Sequence, residues 1–378
     1  MTRNRASFVF AFLLLSQGVF AQRHVHFVIS RLPEYFLQDS NLYLAGSFNG
    51  WNPKDPASRF SRQAGHWSMD LSLQPGHYEY KITRGGWNQV ETKENGSEIS
   101  NRAADIASDT SIDMSVEGWA DHFEKHERPG TASPNVKLVD AEFPIPQLNR
   151  KRRVWIYLPP GYESGQKYYP VLYMQDGQNV FDERTAFAGE WGVDEALDSI
   201  AKQRREIIVV AIDHGNDKRI NEYSPYDMEK YGKGEGGQYV DFLVKTLKPY
   251  IDHHYRTKAG STQTYIAGSS MGGLISMYAV LRYPQVFGAA GVFSPAFWIA
   301  PQIFEDIKAL GGHVRSRIYF YCGGAEGEQM QANTVRAFEE MRKVSKAKME
   351  CVVRPDGKHS EAVWKEEFPL FYLWLVAQ

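Results

Sequence analysis

The sequence predicts an α/β domain with a mostly parallel central sheet, preceded by a small all-β, immunoglobulin-like sandwich. Three observations carry that reading. From residue 137 onward, apolar runs alternate with stretches of i, i+3, i+4 apolar spacing, as expected of a parallel sheet covered by helices on both faces. Before that, residues 24–115 show short runs of alternating apolar and polar residues separated by Gly, Pro and Asn, the pattern of antiparallel strands joined by turns. The third is the pentapeptide Gly268-Ser269-Ser270-Met271-Gly272, which joins the β-branched run ending at Ala267 to a helical pattern and so places a serine where a strand turns sharply into a helix.

At 378 residues the chain is long for a single core, and its length suggests two domains. Lys+Arg 43 balance Asp+Glu 45 with no dense basic run, which argues against a nucleic-acid partner. Residues 1–21 read as an export signal cleaved before Gln22: Arg3 and Arg5 precede the apolar run 8–15, and Val19-Phe20-Ala21 suits signal peptidase. A secreted or periplasmic protein follows, with no membrane segment once the signal is removed, because no later run reaches the length of a membrane span. Cys322 and Cys351 are the only cysteines, too few for a disulfide scaffold or a cysteine metal site. They are expected as two buried thiols, offset on neighbouring strands beyond easy bridging distance.

In chain order, strands are expected at 25–29, 41–45, 67–73, 77–83 and 111–114, building a module over residues 22–117 with Trp67 in its core. Residues 118–136 are rich in charge and turn formers, including Pro129-Gly130 and Ser133-Pro134, and read as a linker. The α/β domain then occupies 137–378. Its strands are expected at 153–158, 171–175, 207–212, 264–268, 289–293, 317–322 and 349–353, and its helices at 193–202, 238–251, 272–282, 331–344 and 361–375.

A serine hydroxyl is a weak nucleophile and needs a base to take its proton, with a carboxylate holding that base in the right tautomer. Ser270 is the candidate nucleophile, with its flanking glycines expected to permit the strained turn. The candidate base is His359, in Asp356-Gly357-Lys358-His359-Ser360-Glu361 after the last strand, whereas His313, His253 and His254 read as solvated. The acid should follow the preceding strand, within Gly323-Gly324-Ala325-Glu326-Gly327-Glu328. Glu326, set between glycines, is preferred, and Glu328 and Asp356 are the alternatives. For the oxyanion, two amides are needed: the N–H of Met271 and that of Gln178, with Gly177 second, in the loop Gln175-Asp176-Gly177-Gln178-Asn179. Trp191, Arg219, Glu222, Tyr223 and Trp298 are candidates to line an acyl or alcohol pocket. Neither metal nor organic cofactor is expected.

Several spread-out motifs carry a resemblance. Residues from about 137 to 378 resemble an esterase family of α/β-hydrolases that includes enterochelin and related siderophore esterases, feruloyl and acetylxylan esterases and S-formylglutathione hydrolase. The match rests on Pro170 to Phe181, Arg219-Ile220-Asn221-Glu222-Tyr223-Ser224-Pro225, Tyr255-Arg256-Thr257, Gly268 to Gly273, Ser294-Pro295-Ala296-Phe297-Trp298 and Gly357-Lys358-His359-Ser360-Glu361. The resemblance implies an α/β-hydrolase fold with the nucleophile at Ser270 and the histidine at His359, and puts Glu326 where the family often has aspartate. Residues 24 to about 115 resemble a starch- or glycogen-binding carbohydrate-binding module, through Leu44 to Pro53, Pro75 to Ile82 and Gly85-Gly86-Trp87. That resemblance implies sugar stacking on Trp51 and Trp87 and hydrogen bonds from Lys81. Taken with the export signal and the candidate aromatic lining, these resemblances imply an exported serine carboxylic ester hydrolase removing feruloyl or acetyl groups from plant polysaccharide through an acyl-enzyme. A periplasmic siderophore esterase and a non-catalytic carbohydrate-binding protein are the alternatives.

Overall fold

Alternating burial along the first strand shows why the N-terminal region is a sandwich: Val25, Phe27 and Ile29 are buried while the residues between them are not. The structure, a computed structural model, describes residues 21–377 apart from 38–39, 64, 98, 124–128, 188 and 201–205. The expected export signal therefore lies almost wholly outside the described residues. Two compact units, Met1–His126 and Glu127–Gln378, make up the chain.

The first unit contains β1 (Arg23–Arg31), β2 (Tyr43–Gly46), β3 (Ser61–Gln63), β4 (His66–Leu73), β5 (Gly76–Thr83), β6 (Glu91–Thr92), β7 (Arg102–Ile106), β8 (Thr110–Ser115) and β9 (Gly118–Trp119). One sheet has the order β3-β4-β1-β8, another β2-β5-β7, and β6 pairs with β9. Phe27, Met69 and Met114 from the first sheet pack with Leu44, Tyr80 and Ile82 from the second, and Trp67 joins that core. One pairing departs from the antiparallel expectation: β1 runs parallel to β8. The strand β7 was not legible because its sequence, Arg-Ala-Ala-Asp-Ile, holds a single β-branched residue.

The second unit contains β10 (Val136–Ile145), β11 (Arg150–Tyr157), β12 (Val171–Gln175), β13 (Ile208–Ile212), β14 (Thr264–Ser269), β15 (Ala289–Phe293), β16 (Arg317–Gly323) and β17 (Met349–Arg354). Their order is β10-β11-β13-β12-β14-β15-β16-β17. The first two joins are antiparallel and the rest parallel. Every residue of β12, β13, β14 and β15 is buried, as strands covered on both faces must be. The helices are α1 (Val193–Ile200), α2 (Arg219–Tyr223), α3 (Gly236–Phe242), α4 (Lys248–His254), α5 (Met271–Arg282), α6 (Ile303–Leu310), α7 (Glu328–Val344) and α8 (Glu361–Val376). Residues of α3 to α7 pack on one face with Tyr173 and Ile266, while those of α1 and α8 pack on the other with Leu172 and Phe293. A π-helical stretch, Leu243–Leu247, joins α3 to α4 just before Pro249, whose missing N–H and bulky ring disfavour a regular α-helical turn there.

Three expectations are revised. The edge strand β10 was missed because only Phe143 and Ile145 of its ten residues are buried, which leaves no period-two signal. The stretch read as a linker is ordered at both ends. Trp119 is buried in the first unit, whereas in the second the Thr131 and Ser133 amides donate to Asp182 (3.2 Å) and Asp194 (2.6 Å) and the Asn135 side chain to Asp198 (2.8 Å). Turn-forming composition cannot reveal anchors supplied by carboxylates some sixty residues downstream. Both cysteines are free, but only Cys322 is buried; Cys351 is half-buried in mid-strand, opposite Phe320.

Candidate active site

Ser270 stands between β14 and α5 at φ 56°, ψ −119°, a conformation costly for any residue with a Cβ. Two backbone bonds from the β15 side hold it there: its N–H donates to Phe293 O (2.9 Å) and its carbonyl accepts from Ala296 N–H (3.0 Å). The neighbouring glycines play a different part from the one expected. A Cβ at Gly268 would lie 2.8 Å from Gln175 Cγ, and one at Gly273 2.8 Å from Phe293 O. They allow close packing, while the serine itself carries the strain. Met271 opens α5, so its N–H is one of the first-turn amides that the helix leaves unpaired, at the positive end of the helix dipole.

Glu326 sits in the turn after β16 with its side chain 1% exposed. Its Oε1 accepts from the Gly323 N–H (2.6 Å) and the Ser294 hydroxyl (2.6 Å), and its Oε2 lies 2.6 Å from His359 Nδ1. A carboxylate at Nδ1 fixes the proton there and leaves Nε2 as the acceptor nitrogen. The two other acids considered, Glu328 and Asp356, are exposed. Trp364 donates from Nε1 to Ser294 Oγ (3.0 Å), and its ring stands edge-on to His359 at 5.0 Å. Gly323 has to be glycine, since a Cβ there would lie 2.0 Å from Gly357 O. Ser270, Ser294, Glu326 and His359 therefore follow four adjacent parallel strands, β14 to β17, at one edge of the sheet.

The turn after β12 is built as tightly. Asp176 takes φ 56°, and a Cβ at Gly177 would lie 2.7 Å from the Ile212 carbonyl carbon of β13. Arg219 grips the Asp176 carboxylate through Nε (2.6 Å) and Nη2 (2.9 Å), and the Asp176 N–H donates to the Tyr223 hydroxyl (3.2 Å). Gln178 Oε1 accepts from the His214 N–H (3.1 Å). Burial pushes the His214 imidazole down to about 4, so it stays neutral.

Much of the expected pocket lining is structural. Trp191 is buried against Phe293 (5.0 Å) and Trp364 (5.6 Å). Glu222 is fully buried between Arg150 (2.8 Å) and Arg152 (2.6 Å), and Tyr223 is fully buried beneath Arg219. Arg219 is committed to Asp176. Trp298 remains exposed at 39%, and Phe187, which the sequence did not single out, at 59%. Two further polar residues went unnoticed. Both lie in motifs that carry the resemblance: Ser294 donates to Glu326, and Glu361 accepts from Asn179 Nδ2 (3.2 Å). Burial pushes the Glu361 carboxyl up to about 7, with Asp176 raising it further and its own backbone amide, His359 and Arg219 opposing.

In the first unit, Trp51 also holds a positive φ, 59°, and its ring lies 6.2 Å from that of Trp87 at 42°. Lys81 is in β5, opposite Ala45.

A family model described as Putative esterase matches residues 145–374, more than half of the chain. The chain belongs to this family. It is accordingly a serine-type carboxylic ester hydrolase. Among its curated relatives, the uncharacterized protein YbbA of Bacillus subtilis is 28% identical over 191 residues, 48% of the esterase and 71% of YbbA. An endo-1,4-beta-xylanase/feruloyl esterase of Xylanibacter ruminicola is 28% identical over 215 residues, 56% of the esterase but only 27% of that longer protein. An alpha-amylase of Niallia circulans is 41% identical over 83 residues, 6% of its length. Among solved structures, a ferulic acid esterase superposes with TM-score 0.50 at 21% identity, covering 64% of the esterase and 98% of that chain. The enterobactin esterase FES of Shigella flexneri, with enterobactin, superposes with TM-score 0.54 at 16% identity, covering 93% and 92%. These likenesses establish the fold. Among the described residues, no helix is long and apolar enough to cross a membrane.

Proposed function

We propose that the protein is an exported serine esterase that removes feruloyl or acetyl groups from plant polysaccharide, with Ser270 as nucleophile, His359 as base and Glu326 as its orienting acid. The observation that carries this reading is the 2.6 Å contact from buried Glu326 to His359 Nδ1, at the sheet edge where the strained Ser270 turn also lies. His359 Nε2 takes the Ser270 proton as the hydroxyl oxygen attacks the ester carbonyl, and returns it to the departing alcohol. The N–H groups of Met271 and Gln178 hold the oxyanion, and water, deprotonated by the same imidazole, releases the acyl group. Exposed Trp298 faces no such commitment to the core as Trp191 does, and serves as substrate lining.

The polysaccharide substrate is supported by the xylanase/feruloyl esterase relative, by the alpha-amylase match and by the paired Trp51 and Trp87, whose rings suit the C–H faces of sugars. Export is supported by the reading of residues 1–21. The extended fold likeness to an enterobactin esterase keeps a catecholate siderophore as the second candidate substrate. Parallel assays on feruloylated arabinoxylan, acetylated xylan and a catecholate siderophore decide between them. Turnover of the first two is expected; exclusive turnover of the siderophore would overturn the polysaccharide assignment. A fluorophosphonate probe should label the wild type at Ser270 and fail to label Ser270→Ala.

A further inference from the structure

We propose that Glu361 is a positioning residue that ties the loop carrying His359 to the turn presenting the Gln178 amide, a role that rests on the catalytic reading above. Glu361 is the first residue of α8, two positions after His359. Its Oε1 accepts from Asn179 Nδ2 at 3.2 Å, a contact between residues 182 apart in sequence. Asn179 closes the turn Gly177–Asn179, and its other polar atoms are occupied. Its N–H donates to Asp176 O (2.8 Å), its carbonyl accepts from Trp191 N–H (2.8 Å), and its Oδ1 accepts from Phe187 N–H (3.0 Å). Because Oδ1 is held by an amide donor, the Nδ2 group must point toward Glu361. The two loops follow β12 and β17, which have β14, β15 and β16 between them. Glu361 thus joins the base side of the site to the oxyanion side across the strand that carries Ser270.

The charged groups around this carboxyl are His359 on its own loop, Asp176 on the β12 turn and Arg219 on α2. Lys365, one turn further along α8, is engaged by Glu190 at 2.9 Å. Gly189, at φ 105°, brings backbone against Glu361, since a Cβ built there would lie 3.7 Å from Glu361 Cβ. Shielded in this way, the carboxyl titrates near neutral pH, at about 7. Protonated or ionised, it offers an oxygen to Asn179, so the tie persists. Only the ionised form adds negative charge beside His359, where it favours the imidazolium.

Labelling of Ser270 by a fluorophosphonate and hydrolysis of p-nitrophenyl acetate, followed from pH 5 to 9 in wild type, Glu361→Gln, Glu361→Ala and Asn179→Ala, test this. Glu361→Ala should lower kcat/KM about tenfold, the scale of one hydrogen bond, through kcat more than KM. Glu361→Gln keeps the acceptor oxygen and should recover most of that loss at pH 8. In Glu361→Gln the acidic limb of the labelling profile should move to lower pH by up to about half a unit, because the partly ionised neighbour is gone. Asn179→Ala added to Glu361→Ala should cost little further. Wild-type rates and pH profile in Glu361→Ala, or an unshifted profile in Glu361→Gln, would overturn the proposal. A merely structural residue would change thermal stability without moving the profile. A wild-type protein that the probe does not label would instead sink the serine-esterase reading itself.

Discussion

Ser270 and Trp51 are both non-glycine residues held at φ near +60°, yet the two units hold them in very different company. Around Ser270 the chain is buried, two backbone bonds from the neighbouring strand side pin the turn, and the carboxylate beside His359 has both oxygens engaged. Trp51 is half-buried, its own amide bonded to Gly46 O (2.8 Å) and its ring canted toward Trp87. The difference matches what the proposed roles of the two places would require. Proton transfer and oxyanion stabilisation require donors and acceptors fixed before the substrate arrives, in surroundings that exclude water. Stacking on a sugar, the role proposed for Trp51, needs only a flat apolar face within reach of the ligand.

The largest expected effect tests the rigid side of this contrast. In Glu326→Gln the amide still fills the space but presents an N–H group to His359 or surrenders its bonds to Gly323 and Ser294. Ester turnover should fall about 10⁴-fold, as when the orienting acid of a serine protease is made an amide. A loss of only a few-fold would mean that His359 does not depend on this carboxylate. A smaller effect, about tenfold in kcat, is expected of Ser294→Ala, which removes one donor to Glu326 and the acceptor for Trp364 Nε1. Unchanged kinetics there would reduce the network to Glu326, the Gly323 N–H and His359. The smallest effect belongs to the Trp51 and Trp87 pair. Trp51→Ala or Trp87→Ala should weaken retention on insoluble polysaccharide several-fold and leave hydrolysis of a small soluble ester as it was. Retention that survives both substitutions would remove sugar binding from the first unit.

How far the sequence could be read follows the same division between local and distant causes. The strand-to-helix turn at Ser270, the loop after β16 that holds Glu326 and the loop after β17 that holds His359 were all visible, because each is marked by an apolar run ending in glycine or charge. The substrate-lining assignments to Trp191, Glu222 and Tyr223 went astray. All three lie within two residues of a strand-end motif or a loop, and nothing in their neighbourhood announces Phe293, Arg150 or Asp176 as partners. Residues 129–135 looked like a tether for the same reason, since the carboxylates that anchor them belong to α1 and the loop before it. The parallel pairing of β1 with β8 joins segments some eighty residues apart, which no hairpin signal could show.

Periodicity and turn chemistry act over a few residues, so composition along the chain sufficed to mark out a sheet-and-helix unit after a small sandwich, and a serine poised on a sharp bend. Which polar groups meet was settled by folding alone. Glu326 reaches His359 across 33 positions and Asn179 reaches Glu361 across 182, and in each case the bond exists because parallel strands deliver their C-terminal loops to one edge. Burial has the same origin. A side chain's exposure depends on what the rest of the chain lays over it, and that information is spread through the whole sequence rather than held at the residue concerned.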